Sequence, residues 1–375
     1  MLALGHALIA RPKLVLIDEL SLGLAPQLID RLLDAVRAIA ARGATIVLVE
    51  QSMTVARAVA QRAVFMEKGE VRFDGPIEEL LDRPDVLRSV FLEGAATSAA
   101  SRARLAVASD APVVLEVRGL RVAFGGIDAV DGVDLALRAG EVIGLMGPNG
   151  AGKTTLFDLV SGYLAPDSGA VLLGGEDVRE WTPDARARWG LGRYFQDARL
   201  FPSLTVSEAI AAACERHVAM RDPIAALVSS PAVRRSERAI TARVDELVEL
   251  LHLQAYADKF VYELSTGTRR IVDIACCLAH RPAVLLLDEP SAGIAQREAE
   301  ALAPVLLDIR DTTGAALLVI EHDLPLISAV SDEIVVLDLG RVIARGTPMA
   351  VVHDPAVIAS YLGTGTREDA VPCES

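Results

Sequence analysis

Residues 147–155 read Gly147-Pro-Asn-Gly-Ala-Gly-Lys-Thr-Thr155, and no other stretch of this 375-residue chain constrains its fold as tightly. From Gly147 to Thr154 the spacing is G-x-x-x-x-G-K-T, the pattern of a loop that wraps the phosphates of a nucleoside triphosphate. Ahead of it the apolar run Glu141-Val-Ile-Gly-Leu-Met146 suits a buried strand, and after it Leu156-Phe-Asp-Leu-Val160 suits a helix. The motif needs that strand–loop–helix context. Its glycines let the backbone curl with N–H groups turned inward, and the helix start near Lys153 adds a positive dipole end. Gly147, Pro148, Asn149, Gly150, Ala151, Gly152, Lys153, Thr154 and Thr155 are therefore the candidate phosphate contacts. Lys153 is expected to reach the β- and γ-phosphates, and the Thr154 hydroxyl to ligate Mg²⁺.

Composition narrows the surroundings of that loop. Apolar residues make up 52% of the chain and aromatics only 4%, which predicts an α/β core built from Ala, Val, Leu and Ile. A net charge of −14 argues against a general nucleic-acid binder, whose footprint is a basic face. It does not argue against ATP, whose phosphates are met locally. No apolar run approaches the ~18 residues of a membrane span, and the start has no signal-peptide layout. The four cysteines show no metal-binding spacing, and adjacent Cys276 and Cys277 read as helix packing. The chain reads as reduced and cytosolic.

The front of the chain repeats later. Arg11-Pro-Lys-Leu-Val-Leu-Ile-Asp-Glu19 matches Arg281-Pro-Ala-Val-Leu-Leu-Leu-Asp-Glu289 at an offset of 270, and Ile46-Val-Leu-Val-Glu50 matches Leu317-Leu-Val-Ile-Glu321 at 271. Gly69, Gly75 and Pro84 continue the series at Gly340, Gly346 and Pro355. Residues 1–93 are thus expected to be a partial copy of 271–363. The Ala- and Ser-rich stretch 94–112 reads as a flexible linker, 113–363 as the complete unit, and 364–375 as a frayed tail.

Within the complete unit further motifs follow in order. Val113-Val-Leu-Glu-Val-Arg118 and Leu120-Arg-Val-Ala-Phe124 suit two strands of an antiparallel patch, and Phe124 fits either an adenine-stacking face or the core. Gln196 follows Tyr194-Phe195; its amide could meet Mg²⁺ or an attacking water. Residues 207–262 are helical in pattern; Val244, Leu247, Val248 and Leu251 fall on one packed face. Leu264-Ser-Thr-Gly-Thr268 opens a helix, so Ser265 and Gly267 form either a second anion site or an ordinary helix cap. Ala283-Val-Leu-Leu-Leu-Asp288-Glu289 is a strand ending in two carboxylates, with Asp288 placed for the Mg²⁺ shell and Glu289 for general-base work. Leu317-Leu-Val-Ile-Glu-His322 ends in a histidine that could orient water at the γ-phosphate, or be structural.

In this order and at these separations, the motifs resemble the nucleotide-binding domain of ATP-binding cassette (ABC) transporters over residues 113–363. The resemblance implies a P-loop NTPase of ABC type, with a mixed sheet core, an antiparallel β patch and a helical subdomain, preceded here by a partial second copy. It implies that 147–155 is the Walker A loop, Gln196 the Q-loop residue, and Ser265 with Gly267 the signature. Asp288 becomes the Walker B carboxylate, Glu289 the catalytic base, Ser291-Ala-Gly-Ile294 the D-loop and His322 the switch histidine. Two departures stand out: the signature reads Leu-Ser-Thr-Gly-Thr rather than Leu-Ser-Gly-Gly-Gln, and the D-loop lacks its usual Asp. Gly190-Leu-Gly-Arg-Tyr-Phe-Gln196 and the ending Asp354-Pro-Ala-Val-Ile-Ala-Ser-Tyr-Leu-Gly363 look like one ATPase subunit of branched-chain amino-acid importers. Ser21-Leu-Gly-Leu-Ala-Pro26 and Val49-Glu-Gln51 look like the other.

The implied protein is an ATPase that powers an importer for branched-chain or other small amino acids. Its cofactors would be ATP and Mg²⁺. Its partners would be transmembrane permease subunits, a solute-binding protein and a second ABC cassette, with no nucleic acid. It would lie on the inner face of the cell membrane, meeting the permease near residues 196–206. ABC sites are composite, and the counterpart of Ser265 in the front unit would fall just before Met1. The front unit then lacks both phosphate loop and signature. A tandem fusion whose frame starts upstream of Met1 is the favoured expectation over a relic or docking piece, because half a nucleotide domain leaves sheet edges and apolar faces uncovered. Two other functions compete: a soluble ABC ATPase acting on ribosomes or DNA, and a non-hydrolysing ATP-binding module.

Overall fold

The computed structural model describes residues 12–18, 26–50, 53–67, 70–81, 110–195, 200–215, 231–294 and 296–362. Gln196 lies outside the described residues.

Three strands of the complete unit are apolar at nearly every position: β7 (Val142–Met146), β11 (Val284–Asp288) and β12 (Ala316–Ile320), each buried throughout. Such runs fit strands covered on both faces of a parallel sheet. They join β10 (Leu191–Tyr194), β13 (Glu333–Asp338) and β14 (Arg341–Gly346) in a six-stranded sheet of order β10-β11-β12-β7-β13-β14. Its pairings are parallel except β13–β14, so the sheet is mixed.

A second, antiparallel sheet has the order β6-β5-β8-β9, from β5 (Val113–Phe124), β6 (Ile127–Arg138), β8 (Ser168–Leu173) and β9 (Glu176–Asp177). The two expected strands at 113–118 and 120–124 are one continuous strand, β5. Gly119 stands at the break in alternation, with φ +50° and its N–H donated to the Asp134 carboxylate at 2.8 Å. The register shifts between Val117 and Leu120, so the chain bends there without leaving the sheet.

Helix α4 (Lys153–Ser161) lies between the two sheets, burying Leu156, Phe157, Leu159 and Val160. On the other face, β11 and β12 pack on a layer drawn from α6 (Val206–Cys214), α7 (Pro231–Leu250), α8 (Thr266–Leu278) and α9 (Gln296–Thr313). Val244, Leu247, Val248 and Leu251 all join that core, as their spacing predicts. A smaller cluster at the β13 side draws in α10 (Leu324–Val330), α11 (Pro348–Val352) and α12 (Pro355–Leu362).

The front unit carries β1 (Leu14–Asp18) parallel to β2 (Thr45–Val49), and β3 (Arg62–Glu67) antiparallel to β4 (Glu70–Pro76). Helices α1 (Pro26–Ala41), α2 (Met53–Val59) and α3 (Ile77–Leu81) complete it. The same pairing senses recur in β11–β12 and β13–β14. A bulge at Phe65/Met66 recurs at Val336/Leu337, the positions 271 residues on. In β3–β4 Arg62 donates twice to Asp74, at 2.7 and 2.6 Å; in β13–β14 Arg345 donates twice to Glu333, both at 2.7 Å. These are corresponding positions with the charges exchanged.

The two units differ in cover. Ile17, Ile46 and Leu48 pack on Leu32, Leu33, Val36 and Val55, but Leu14, Leu16, Val47 and Val49 on the opposite face are exposed, Leu16 by 72%. Their counterparts Val284, Leu286, Leu318 and Ile320 are wholly buried in the layer that contains α4.

Candidate nucleotide-hydrolysis site

Strand β7 delivers the chain to the phosphate loop with little freedom at two glycines. A Cβ on Gly147 (φ +149°) would fall 2.2 Å from the Leu337 carbonyl oxygen, and one on Gly152 (φ +98°) 2.1 Å from that of Ala129. Any side chain at either place would push the loop off its backing strands. The loop is tied down from behind, Gly340 N–H donating to the Ala151 carbonyl at 3.0 Å and Asp131 N–H to that of Gly340 at 2.8 Å. Asp131 also binds Arg121 of β5 and Arg341 of β14, each at 2.6 Å, so the antiparallel sheet is fastened to the edge of the main sheet beside the loop.

Lys153, buried at the start of α4, donates from Nζ to the carbonyls of Gly147 at 2.7 Å and Pro148 at 3.0 Å. Burial pushes its pKa down, and the charges of Glu289 and Asp288 work against that shift. The lysine and both carboxylates therefore share one electrostatic environment. Helix α4 begins at Gly152 with no side-chain cap, and Thr154 is exposed on its first turn. Uncapped N–H groups at a helix start favour an anion.

Parallel pairing of β11 with β12 sets the opposite wall. Asp288 lies level with Ile320, and Glu289 N–H donates to the Ile320 carbonyl at 3.0 Å. Burial and then the neighbouring Glu289 raise the Asp288 pKa to about 6, against Arg193 and Lys153. A carboxylate in that position gains from a nearby cation, and hard oxygen donors suit Mg²⁺. Glu289 sits at φ +45°, an uncommon conformation for a residue with a Cβ and one that concentrates at functional sites. His322, at the end of β12, brings Nδ1 to 3.8 Å from Glu289 Oε1. Lys153, Asp288, Glu289 and His322 are thus gathered from three strand ends.

Phe124 is 51% exposed at the end of β5, which removes the core alternative for its ring. Ser265 is the N-cap of α8, its Oγ accepting from Thr268 N–H at 3.1 Å, and Gly267 is buried in the first turn. That helix packs on α6, α7 and β10, whereas α4 packs on β6 and on the helix Pro183–Trp189 (α5). Ser265 and Gly267 thus belong to a different packing group from the phosphate loop.

Three positioning residues escaped the sequence reading. Glu321 is wholly buried and accepts from Ser291, from its N–H and from its hydroxyl, both at 2.8 Å. It fixes the turn after Glu289. A charged residue closing an apolar strand, present in both copies as Glu50 and Glu321, was the available signal. Arg270 of α8 donates to the Tyr194 hydroxyl at 3.0 Å, the Glu289 carbonyl at 3.4 Å and the Ala292 carbonyl. Arg193 of β10 pairs with Asp158 of α4 at 2.7 Å and lies over the rings of Tyr163 and Phe195.

The chain matches the family model described as ABC transporter over residues 130–292, and that described as branched-chain amino acid ATP-binding cassette transporter over 341–366. It is 38% identical over 250 residues to the high-affinity branched-chain amino acid transport ATP-binding protein BraF of Pseudomonas aeruginosa, covering 67% of this chain and 98% of that protein. The chain belongs to the ABC transporter ATP-binding family. LivG of Escherichia coli, another high-affinity branched-chain amino acid transport ATP-binding protein, is 36% identical over 251 residues, with 67% and 98% covered. The lipopolysaccharide export system ATP-binding protein LptB of Escherichia coli is 34% identical over 253 residues, with 68% and 98% covered. The solved ADP conformation of the ABC-transporter cassette MJ1267 superposes with a TM-score of 0.58 at 28% identity, covering 67% of this chain and 99% of that one. As an ABC cassette, this chain is an ATPase coupled to transport. Among its described residues no helix is long and apolar enough to cross a membrane.

Proposed function

We propose that residues 113–363 form the ATP-hydrolysing cassette of an importer for branched-chain or other small amino acids. The observation that carries the chemistry is Glu289 held 3.8 Å from His322 in the electrostatic reach of Lys153. In this reading residues 147–155 wrap the phosphates, with backbone N–H groups from Asn149 onward and the Lys153 ammonium holding the β- and γ-phosphates, and Phe124 stacks on adenine. Thr154 and Asp288, with Gln196, hold Mg²⁺, which supplies charge neutralisation at the phosphates when bound. Glu289 accepts a proton from the attacking water and His322 orients that water. Glu321 and Arg270 keep the backbone around Glu289 still.

Ser265 and Gly267 serve the site of a second cassette. In the isolated protein that cassette is a second copy of this chain. Residues 1–93 are read as the latter half of another cassette, supported by the repeated bulge and the exchanged Arg62–Asp74 and Arg345–Glu333 pairs. They supply neither phosphate loop nor signature.

Import of branched-chain amino acids rests on the likeness to BraF and LivG and on the family model at residues 341–366. Permease subunits provide the membrane path, a solute-binding protein delivers cargo, and this chain lies peripherally on the cytoplasmic face. Proteoliposomes holding the chain with its permease subunits, with the solute-binding protein outside and ATP inside, are expected to take up labelled leucine, and to lose uptake with Glu289→Gln. ATP-dependent lipopolysaccharide movement with no leucine uptake would overturn the cargo reading.

A further inference from the structure

The first residue of the phosphate loop is held from two directions. Its carbonyl accepts from Lys153 Nζ at 2.7 Å, and its N–H donates to the Tyr361 hydroxyl oxygen at 2.9 Å. The second contact spans 214 residues of sequence and comes from the last described helix, α12. That helix is itself anchored. Asp354 accepts from Ala356 N–H at 2.8 Å, Tyr361 packs against the apolar cluster that contains Met146, Ile334 and Val336, and α12 lies along β14. Burial, with Asp338 nearby, keeps the Tyr361 phenol protonated well above its ordinary range.

We infer that Tyr361 is a positioning residue for the phosphate loop, fixing the Gly147 peptide so that Lys153 and the loop amides stand ready for nucleotide. The reasoning is geometric. On one side the Leu337 carbonyl oxygen stands where a Cβ would be, so Gly147 is closely backed there. Its N–H and its carbonyl belong to the two peptide planes that meet at the Gly147 Cα; Tyr361 holds the first and Lys153 the second, so together they oppose rotation about both φ and ψ of Gly147.

Pre-organisation acts on the free loop more than on the loop already filled by phosphate. When the competent state is only partly populated, apparent affinity falls by that fraction. Removing one hydrogen bond of ordinary net strength should therefore raise KM for ATP by about 3- to 10-fold, with kcat changed by less than about twofold. The inference rests on the phosphate-loop reading, so its test carries one readout that does not depend on turnover. In the full chain, Tyr361→Phe keeps the ring and removes only the hydroxyl. Steady-state ATPase kinetics, a nucleotide-free thermal melt and the ¹⁵N-glycine amide spectrum are compared with wild type. The expected result is raised KM, near-constant kcat, a Gly147 amide resonance shifted upfield, and other loop glycines moved less. An unmoved Gly147 resonance, or unchanged KM, would overturn the inference. So would a fall in kcat in step with a lowered melting temperature, since that marks simple packing; Tyr361→Leu supplies the packing-loss pattern for comparison. Failure of the wild-type chain to bind ATP would instead remove the phosphate-loop reading itself, and this inference with it.

Discussion

Glu289→Gln is expected to lower ATP turnover by about a hundred- to ten-thousand-fold while leaving ATP bound. The amide is nearly isosteric with the carboxylate, so the β11 end, the Ile320 carbonyl contact and the Arg270 clamp all survive the change. What disappears is the proton acceptor. Asp288 does not take over, because it lies buried at the strand end. Loss of the like charge beside it also favours Asp288 ionisation, since Glu289 is the second cause of its raised pKa. Nucleotide affinity should therefore hold or rise. Single-turnover hydrolysis of labelled ATP, alongside filter binding, separates the two quantities; turnover within tenfold of wild type would remove Glu289 from the role of base.

Lys153→Ala should fail earlier, at binding. An ammonium donating to phosphate is a charged hydrogen bond, and losing one is worth about 10- to 100-fold in Kd. The loop should still fold, since its backing bonds from Gly340 and Asp131 do not pass through Lys153. Burial already lowers the lysine pKa, so the charge is held there by Glu289 and Asp288. Equilibrium binding of a fluorescent ATP analogue reads this directly, with the melting temperature as the folding control. Unchanged affinity would mean the nucleotide lies elsewhere.

Much of this site was legible because its chemistry is local in sequence. Gly147 to Thr155 is one unbroken loop, and Asp288 with Glu289 closes a run of apolar residues that can only be an interior strand. The continuous apolar composition of β7, β11 and β12 marked them as buried strands in the same way, whereas the mixed sheet they join was implied by the resemblance and not by the runs themselves. Legibility failed where an alternation was interrupted, as at Gly119, where a bent single strand reads like two. It failed again for residues whose partners are remote. Arg270 serves carbonyls 19 and 22 residues away, Arg193 reaches back 35 to Asp158, and Tyr361 spans 214 to Gly147. No local pattern distinguishes such side chains from solvated or packed ones. Ser265 shows the opposite case: a local helix cap was readable, while the service to another cassette proposed for it, implied by the resemblance, would be a property of an assembly rather than of one chain.

A site shared between two copies makes a sharp prediction about mixtures of variants. Lys153→Ala keeps a good signature and loses nucleotide, while Ser265→Arg keeps the phosphate loop and blocks the signature with an exposed bulky charge. If ATP is hydrolysed between the phosphate loop of one copy and the α8 start of another, each variant alone is inactive. Mixing them forms pairs with one intact site. The ATPase rate of the two purified variants, separately and combined, is the decisive measurement. Turnover that returns only on mixing is the predicted result. A Ser265→Arg chain as active as wild type, or a mixture as inactive as its parts, would contradict a site shared between two copies.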